Sequence, residues 1–594
     1  MTHAYNSSYL QMSDSTYQLA LAELAKYGFE AELRYDASLP SFQISSQGNR
    51  LTIAAPDSTE LLYGVYELAE RFGGYCFFEP GVDRYNPSLR QTIFPDGILV
   101  PAKKPPLAIR GFIQEFPFDQ ETPLLFDWMA KNKLNYLNVW MKYFDELSPE
   151  RKEMAAIRGI YLDSGHHNFS YWIPSGKYHR QHPEFFAERD GKRICPADTK
   201  DVLLLGSEQL CTTNQELRDE IVKNMLRYLE ENPQLKVLSL IPNDGFGWCE
   251  CPECSKFYDK NEKGELYSVS EHVYKADRIY HDMLRYVAAK LHEVRPDITL
   301  EFVAYVNYTR PAPGFTLDPN TMVQFANYWR CINHRISDAA CPFNSRLADD
   351  LLAWVKAKRG GKVLVYEYFM GINFYLSLPM IHNWDIFPEV QWYAEQGIDG
   401  VLTQFHLTHW CAYGMNYYMF AKAARGEECQ SANHKMFQAL FGKDAPQAEA
   451  FCRQVKEFLL SVQGKCHIPY PHSLFSRVTQ QQCQELLQSA KDLQAQAPQD
   501  TFRQNIVLWM EYLCRFKDLF DKCQNGTLTI THVDDFQNWA HSLQNRRILV
   551  LTRLDMYLPA IRDAIKQGKT WLHFNIDWED NYIKKHHDLW TGHK

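Results

Sequence analysis

The spacing of hydrophobic and polar positions changes twice along the chain and divides it into three stretches. Over the first hundred residues, short runs at 31–35, 41–45 and 50–54 are β-prone, while 9–26 and 57–72 repeat apolar residues at helical spacing. The second of these helices, STELLYGVYELAERF, starts at Ser58, read as its capping residue. The segment PAKKPP at 101–106 breaks regular structure and reads as a linker. From residue 108 short apolar runs alternate with amphipathic helices, which predicts strands at 109–114, 136–140, 157–162, 237–242, 300–306, 322–326, 363–366 and 400–404. After about residue 417 the strand pattern stops. Helices are then predicted at 436–441, 448–462, 480–494, 501–523 and 533–567, with an aromatic tail from Thr570.

Eight alternations of strand and helix predict an α/β fold built on a (β/α)8 barrel. The expected organisation is a small α+β domain at 1–105, the barrel at 106–418 and an α-helical domain at 419–594. A chain of 594 residues agrees with this division, because a single core stops growing at roughly 250–300 residues.

Charge and cysteine usage narrow the function. The chain has 63 basic and 72 acidic residues, a net of -9, and no Lys/Arg run, which argues against nucleic acid as a partner. No 18-residue apolar span is present and none of the helices predicted is expected to cross a membrane. The first residues lack a basic stretch followed by an apolar one, and fifteen cysteines are scattered as reduced thiols would be, so the expected location is cytoplasmic, or secreted if a leader was removed. A homo-oligomer is compatible with this composition.

Catalytic groups of a barrel come from the carboxyl ends of its strands and the loops that follow. The fourth strand ends in Asn243, Asp244 and Gly245, and the seventh in Tyr366, Glu367 and Tyr368. Asp244 and Glu367 are therefore read as a catalytic pair, since glycoside hydrolysis generally needs two carboxyl groups unless the substrate's acetamido group attacks. Around them fall Trp140, His166, His167, Tyr305, Tyr308, Trp329, Gln404 and His406, a mixture of amides, imidazoles and aromatic faces. Such a set suits sugars, whose hydroxyls take polar partners while the C–H face of the ring packs on aromatic rings. Glu115 also falls at a strand end but is a weaker candidate, reading at least as well as half of an interior or loop salt bridge.

Cys249, Cys251 and Cys254 form a C-x-C-x2-C cluster to which Cys211 would be a fourth member. A structural zinc site usually shows two spaced pairs, so no metal is assigned, and no cofactor motif of the phosphate-cradling or dinucleotide type is present.

The segment NDGFGWCECPEC (243–254), with LLYGVYELAERFGGYCFFEPG (61–81) before it and GIDGVLTQF and GMNYYMFAKA after it, resembles glycoside hydrolase family 163 and its relatives over most of 30–430. The resemblance implies a retaining endo-β-N-acetylglucosaminidase that releases N-glycans with help from the substrate's 2-acetamido group, and an oligosaccharide as the partner. It further implies Asp244 and Glu367 as the acidic pair, Glu367 as the acid/base and Asp244 as the group orienting the acetamide, with the reverse assignment open. Two other readings stand beside it. An exo-acting, α-glucuronidase-like glycosidase would bring a basic residue such as Arg110 or Arg330 to the site, and a non-catalytic carbohydrate-binding protein would keep the aromatics without the carboxylate geometry.

Overall fold

The computed structural model describes residues 2–196, 209–264, 266, 275–328, 330–370, 375–460 and 474–568, so Trp329 and the aromatic tail lie outside the described residues. A helix Thr2–Lys26 precedes strands β1 (Ala31–Tyr35), β2 (Gln43–Gln47) and β3 (Arg50–Ala55). The helix Ser58–Phe72 follows, then β4 (Tyr75–Glu79), β5 (Val82–Tyr85) and β6 (Gly97–Val100). The main sheet has the order β1-β3-β2-β6, and β4 and β5 form a separate hairpin. The cap of the second helix is Asp57 rather than Ser58, because the Asp57 carboxylate accepts the Glu60 amide. Ile44, Ile53, Leu61, Leu62 and Tyr66 make a core of their own.

Eight strands then close into a barrel: β7 (Ile109–Gln114), β8 (Tyr136–Trp140), β9 (Tyr161–Gly165), β12 (Val237–Ser239), β13 (Thr299–Ala304), β14 (Thr321–Ala326), β15 (Lys362–Glu367) and β16 (Gly400–Gln404). Between β9 and β12 lies a small hairpin of β10 (Glu188–Arg189) and β11 (Lys192–Arg193). Every barrel pair is parallel, and β16 returns to β7 with Gly400 opposite Ile109. A parallel strand covered by helices on one side and core on the other is buried on both faces, which is why these segments read as nearly unbroken apolar runs. The third and fourth strands shift most. The third strand begins at Tyr161 rather than 157, because Ile157 caps the helix Pro149–Ala156 and Gly159, at φ 70°, turns the chain out of it. The fourth leaves its ladder after Ser239, freeing 240–245 to bend over the mouth.

Alternation along the strands decides which side chains face inward. Tyr366 of β15 points into the barrel mouth, where its hydroxyl donates to Glu115, so its neighbour Glu367 points outward. There Glu367 is fully buried between barrel and helix layer. Its Oε1 accepts from Arg330 Nη1 (2.6 Å), Asn327 Nδ2 (2.9 Å) and the Tyr393 hydroxyl, and its Oε2 from the Tyr368 amide (2.9 Å). Arg330 also pairs with Glu389 at 2.5 Å, and burial, partly offset by Arg330, pushes the Glu389 carboxyl up. Arg110 is likewise turned away from the mouth, its guanidinium held by the carbonyls of Leu107, Ala108 and Lys133.

The barrel core continues without a break into the C-terminal helices. Helix Trp410–Ala424 follows β16 and is buried on all sides, with Trp410 donating to the Phe78 carbonyl. Helix Thr501–Gln524 clamps the stretch after β15: Trp509 Nε1 donates to the Ser377 carbonyl and the Tyr512 hydroxyl to the Leu376 carbonyl, both at 2.8 Å. The predicted helix 533–567 is two helices, Ile530–His541 and Leu551–Lys566, separated by a turn in which Arg547 takes φ 53° and pairs with Glu79 and Glu121. Among the described residues no helix is long and apolar enough to cross a membrane.

Removing one member of a buried ion pair leaves the other uncompensated. Arg330→Met is therefore expected to destabilise the fold by about 3–5 kcal/mol, read as a lowered urea midpoint. A second expectation concerns His281, buried against Phe315 and Trp354, whose Nδ1 accepts the Ala312 amide at 2.9 Å. Burial, then Arg285, lowers its pKa to about 3 from 6.5. The unfolded chain thus binds more protons at this residue across that window, so the contribution is complete above pH 6.5 and is lost as pH falls toward 3. Going from pH 6.5 to 5 costs about 2 kcal/mol through this group, at about 1.4 kcal/mol per unit. His281→Gln should flatten the pH dependence of the urea midpoint in that range.

Candidate active site

The floor of the barrel mouth is polar. Asn138 of β8, Asp163 of β9, Ser239 of β12, Glu301 of β13 and Gln324 of β14 all point inward and are buried. Asn138 Nδ2 donates to Asp163 Oδ2 (2.9 Å) and Glu301 Oε2 (3.3 Å), Tyr136 donates to Asp163 Oδ2 (2.9 Å), and Gln324 donates to Glu301 Oε1. Burial, then the neighbouring Asp163, pushes the Glu301 carboxyl well above the usual carboxylate range, and burial raises Asp163 too. Double ionisation of two adjacent buried carboxyls is disfavoured, which favours a shared proton on the pair. Gly165 lies directly above. A Cβ there would meet Asn138 Nδ2 at 2.7 Å and Glu301 Oε2 at 3.0 Å, so only glycine lets the chain cross this close.

The next residue, His166, sits in the left-handed region at φ 70°, a conformation that costs a non-glycine residue about 1–3 kcal/mol and is held only by its surroundings. Its ring stacks on Trp140 with centroids 4.2 Å apart and planes 17° from parallel. Burial, then His167, holds its imidazole well below the usual histidine range, so it is neutral. The single proton of Tyr366 goes to Glu115 Oε1 (2.5 Å), so the Tyr366 oxygen accepts from His166 Nε2 (3.3 Å) and from Gln404 Nε2 (2.8 Å). Gln404 Nε2 also donates to Glu115, and His166 Nε2 is 3.6 Å from the same oxygen. Glu115, at the end of β7, is thus a buried acceptor at the centre of the mouth.

His167 links this group to Asp244. Its Nδ1 hydrogen-bonds the Pro242 carbonyl, which places the proton on Nδ1, and its Nε2 lies 3.8 Å from Asp244 Oδ1. The rings of His166 and His167 are 4.7 Å apart. Asp244 is part-exposed, with its side chain 29% accessible. The loop carrying it is held by Gln209, whose Nε2 donates to the carbonyls of Asn243 (2.7 Å) and Gly245 (2.8 Å) while its Oε1 accepts the Asn243 amide (3.0 Å). Asn243 Oδ1 in turn accepts the Ser170 amide at 3.0 Å, so this residue shapes the loop.

Tyrosines wall the mouth. Tyr305 lies 5.9 Å from His167 and 5.6 Å from Tyr328, Tyr328 lies 5.7 Å from Tyr368, and Tyr368 lies 5.0 Å from Tyr366. Val306 between Tyr305 and Asn307 is at φ 38°, an outlier for a β-branched residue that re-aims the chain after β13. Tyr308 points instead into the core beside Trp248 and Tyr280. His406 packs on Phe116 at 4.2 Å and caps its own turn by accepting from the Thr408 amide (3.1 Å), and burial, then Arg553, lowers its pKa to about 3.

Arg553, from the helix Leu551–Lys566, reaches the same place. It is 3% exposed, lies 5.0 Å over the Phe116 ring, and its Nε has no hydrogen-bond partner among the described residues. Burial lowers its pKa, opposed by the charge of Glu115 and by Tyr328, Tyr143 and Tyr366 nearby. The structure therefore brings together Trp140, His166, His167, Asp244, Tyr305, Tyr366, Tyr368, Gln404 and His406, adds Glu115, Tyr328 and Arg553, and sets Glu367 on the other side of the strand. The polar floor had a sequence signal, acidic residues inside the apolar strands YLDSG and TLEFVA. Arg553 had none, since nothing local to it marks a contact with a barrel so far back in the chain.

This architecture is shared with known proteins. A family GH115 4-O-methyl-α-glucuronidase with specificity for decorated arabinogalactans superposes with a TM-score of 0.51 at 12% identity, covering 88% of this chain and 70% of that one. A family 89 glycoside hydrolase from Clostridium perfringens in complex with PUGNAc gives a TM-score of 0.52 at 10% identity, covering 90% of this chain and 66% of that one. At such identities the likeness concerns the fold. No curated protein sequence gives a significant match. The family model described as a domain of unknown function, DUF4838, matches residues 98–445. Since that match spans more than half of the chain, the protein belongs to the DUF4838 family.

Proposed function

We propose that the protein is a glycoside hydrolase that cleaves a β-linked N-acetylglucosamine, with the substrate's own 2-acetamido group as nucleophile. The observation that carries the reading is the arrangement of two mouth carboxylates, Glu115 and Asp244, joined through His166 and His167 over Trp140. Sugar rings need apolar faces beside polar acceptors, and Trp140, Tyr305, Tyr328 and Tyr368 supply those faces around the two acids. The sequence resemblance to glycoside hydrolase family 163 supports the choice of sugar.

Asp244 is the candidate acid/base. It is the part-exposed carboxylate of the two, set on a loop held from below, and His167 beside it carries its proton on the far nitrogen. A proton moves from Asp244 to the glycosidic oxygen as the bond to C1 breaks, and the acetamido carbonyl oxygen closes on C1 to give an oxazolinium. Glu115, held as an acceptor by Tyr366 and Gln404, takes the acetamido N–H and offsets the positive charge that grows on it. Water then attacks C1, giving a proton to Asp244, as the bond from C1 to the acetamido oxygen breaks and the acetamide is restored. In this scheme Glu367 acts at a distance, by holding Asn327 and Arg330 behind the tyrosine wall.

A second reading is favoured by one specific feature. Arg553 is a buried guanidinium in the mouth whose Nε has no partner among the described residues, and a uronic acid carboxylate would be its natural partner. This is the α-glucuronidase-like alternative with Arg553 in the part expected of Arg110 or Arg330.

Hydrolysis of a panel of aryl glycosides tests both. A β-N-acetylglucosaminide should be cleaved, and Asp244→Asn and Glu115→Gln should each lower kcat by about 10²–10⁴ while the urea midpoint stays near that of wild type. Loss of that midpoint in either variant, or full turnover in both, would remove the pair from the mechanism. Cleavage of a uronide alone, with Arg553→Met lowering kcat/KM about 30-fold or more, would establish the second reading instead.

A further inference from the structure

Behind the loop that carries Asp244, four cysteines converge. Cys249, Cys251 and Cys254 follow in the same loop, Cys254 opening the short turn Cys254–Phe257, and Cys211 comes from the segment before the helix Gln215–Glu231. All four are buried, and their sulfurs lie within 4.8 Å of one another. Cys211 Sγ is 3.7 Å from Cys251 Sγ and 3.8 Å from Cys254 Sγ. A disulfide would bring two sulfurs to about 2.05 Å. Four thiolates at the corners of a tetrahedron, each about 2.3 Å from a central zinc, stand about 3.8 Å apart. The two Cys211 separations match that edge, and all four sulfurs fit within 4.8 Å of one another.

The surroundings point the same way. The Glu188 amide is directed at Cys249 Sγ (3.3 Å), Arg193 Nη1 lies 3.6 Å from the same sulfur, and Thr213 Oγ1 lies 3.1 Å from Cys254 Sγ. Donors and a guanidinium aimed at sulfur suit thiolates, because a divalent ion with four of them keeps a net negative charge that neighbouring N–H groups and a cation offset. Four soft sulfur ligands in tetrahedral array select zinc or iron, and a closed four-cysteine site without an open position is structural rather than catalytic.

We propose that Cys211, Cys249, Cys251 and Cys254 bind one zinc ion that fastens the loop bearing Asp244. Three segments meet at the ion: the hairpin of β10 and β11 through Glu188 and Arg193, the stretch around Cys211, and the cysteine loop. Gln209, two residues before Cys211, makes the three hydrogen bonds that shape Asn243 to Gly245, and its amide donates to the Gly247 carbonyl at 2.9 Å. The ion thus holds both sides of the clamp on Asp244. Cys211 and Cys251 are 40 residues apart, and a cross-link across so long a stretch removes freedom from the unfolded chain.

The test is metal analysis of the full chain purified in reductant without chelator. One zinc per chain is expected, released in step when an organomercurial titrates the thiols, and cobalt loaded in its place should show thiolate-to-metal charge transfer and tetrahedral ligand-field bands. Cys249→Ser and Cys254→Ser should lower the zinc content, and Cys452→Ser, a buried cysteine far from the cluster, should leave it at one. Substoichiometric zinc in wild type after incubation with zinc and dialysis would overturn the proposal, as would stoichiometric iron, a disulfide among the four, or zinc retained in full by Cys249→Ser. Metal content is read without any substrate, so this result is independent of whether Asp244 and Glu115 perform hydrolysis.

Discussion

Closure of the barrel through β16 and β7 is the constraint from which the site follows. Once every strand has two parallel neighbours, each residue must face either the interior or the surrounding helices, and a shift of one residue changes its whole environment. Tyr366 and Glu367 are adjacent in sequence, yet one hydroxyl meets Glu115 in the mouth and the other side chain is enclosed by Arg330, Asn327 and Tyr393. The same alternation sends Gln404 inward to Glu115 and leaves Thr403 buried behind it, accepting the Phe369 amide.

The barrel does not make the mouth alone. Arg553 enters from the C-terminal helices, and Trp509 and Tyr512 grip the backbone at Leu376 and Ser377, two successive residues with positive φ. Without those contacts a non-glycine pair in that conformation would relax, since each costs about 1–3 kcal/mol. His166 and Val306 are strained in the same way at the rim. Backbone strain held by rigid neighbours at a rim fixes the direction of the side chains it carries.

A polar floor beneath an aromatic rim also explains why the interior is not filled by the branched aliphatic layers usual in such barrels. Asp163, Glu301, Asn138 and Gln324 are joined by hydrogen bonds, and their network holds Gly165 and therefore the direction in which His166 and His167 leave the strand. Buried polar groups connected this way are costly to disturb singly, which gives the floor a fixed shape.

The architecture was legible because it rests on local periodicity. Strands at 109–114, 136–140 and 400–404 fall where the apolar runs stand, and the boundaries that moved did so at signals of short range, such as Gly159 ending a helix. Most of the rim was legible too, because loops after barrel strands are where polar and aromatic residues collect. What sequence alone could not decide was orientation and distance. Whether Glu115 or Glu367 shares the opening with Asp244 depends on strand register, whether Cys211 joins Cys249, Cys251 and Cys254 depends on how a long connection folds back, and Arg553 reaches the mouth only because a helix far along the chain packs there. Each is a contact between residues remote in sequence, set by the burial of whole faces rather than by any pattern around the residue itself.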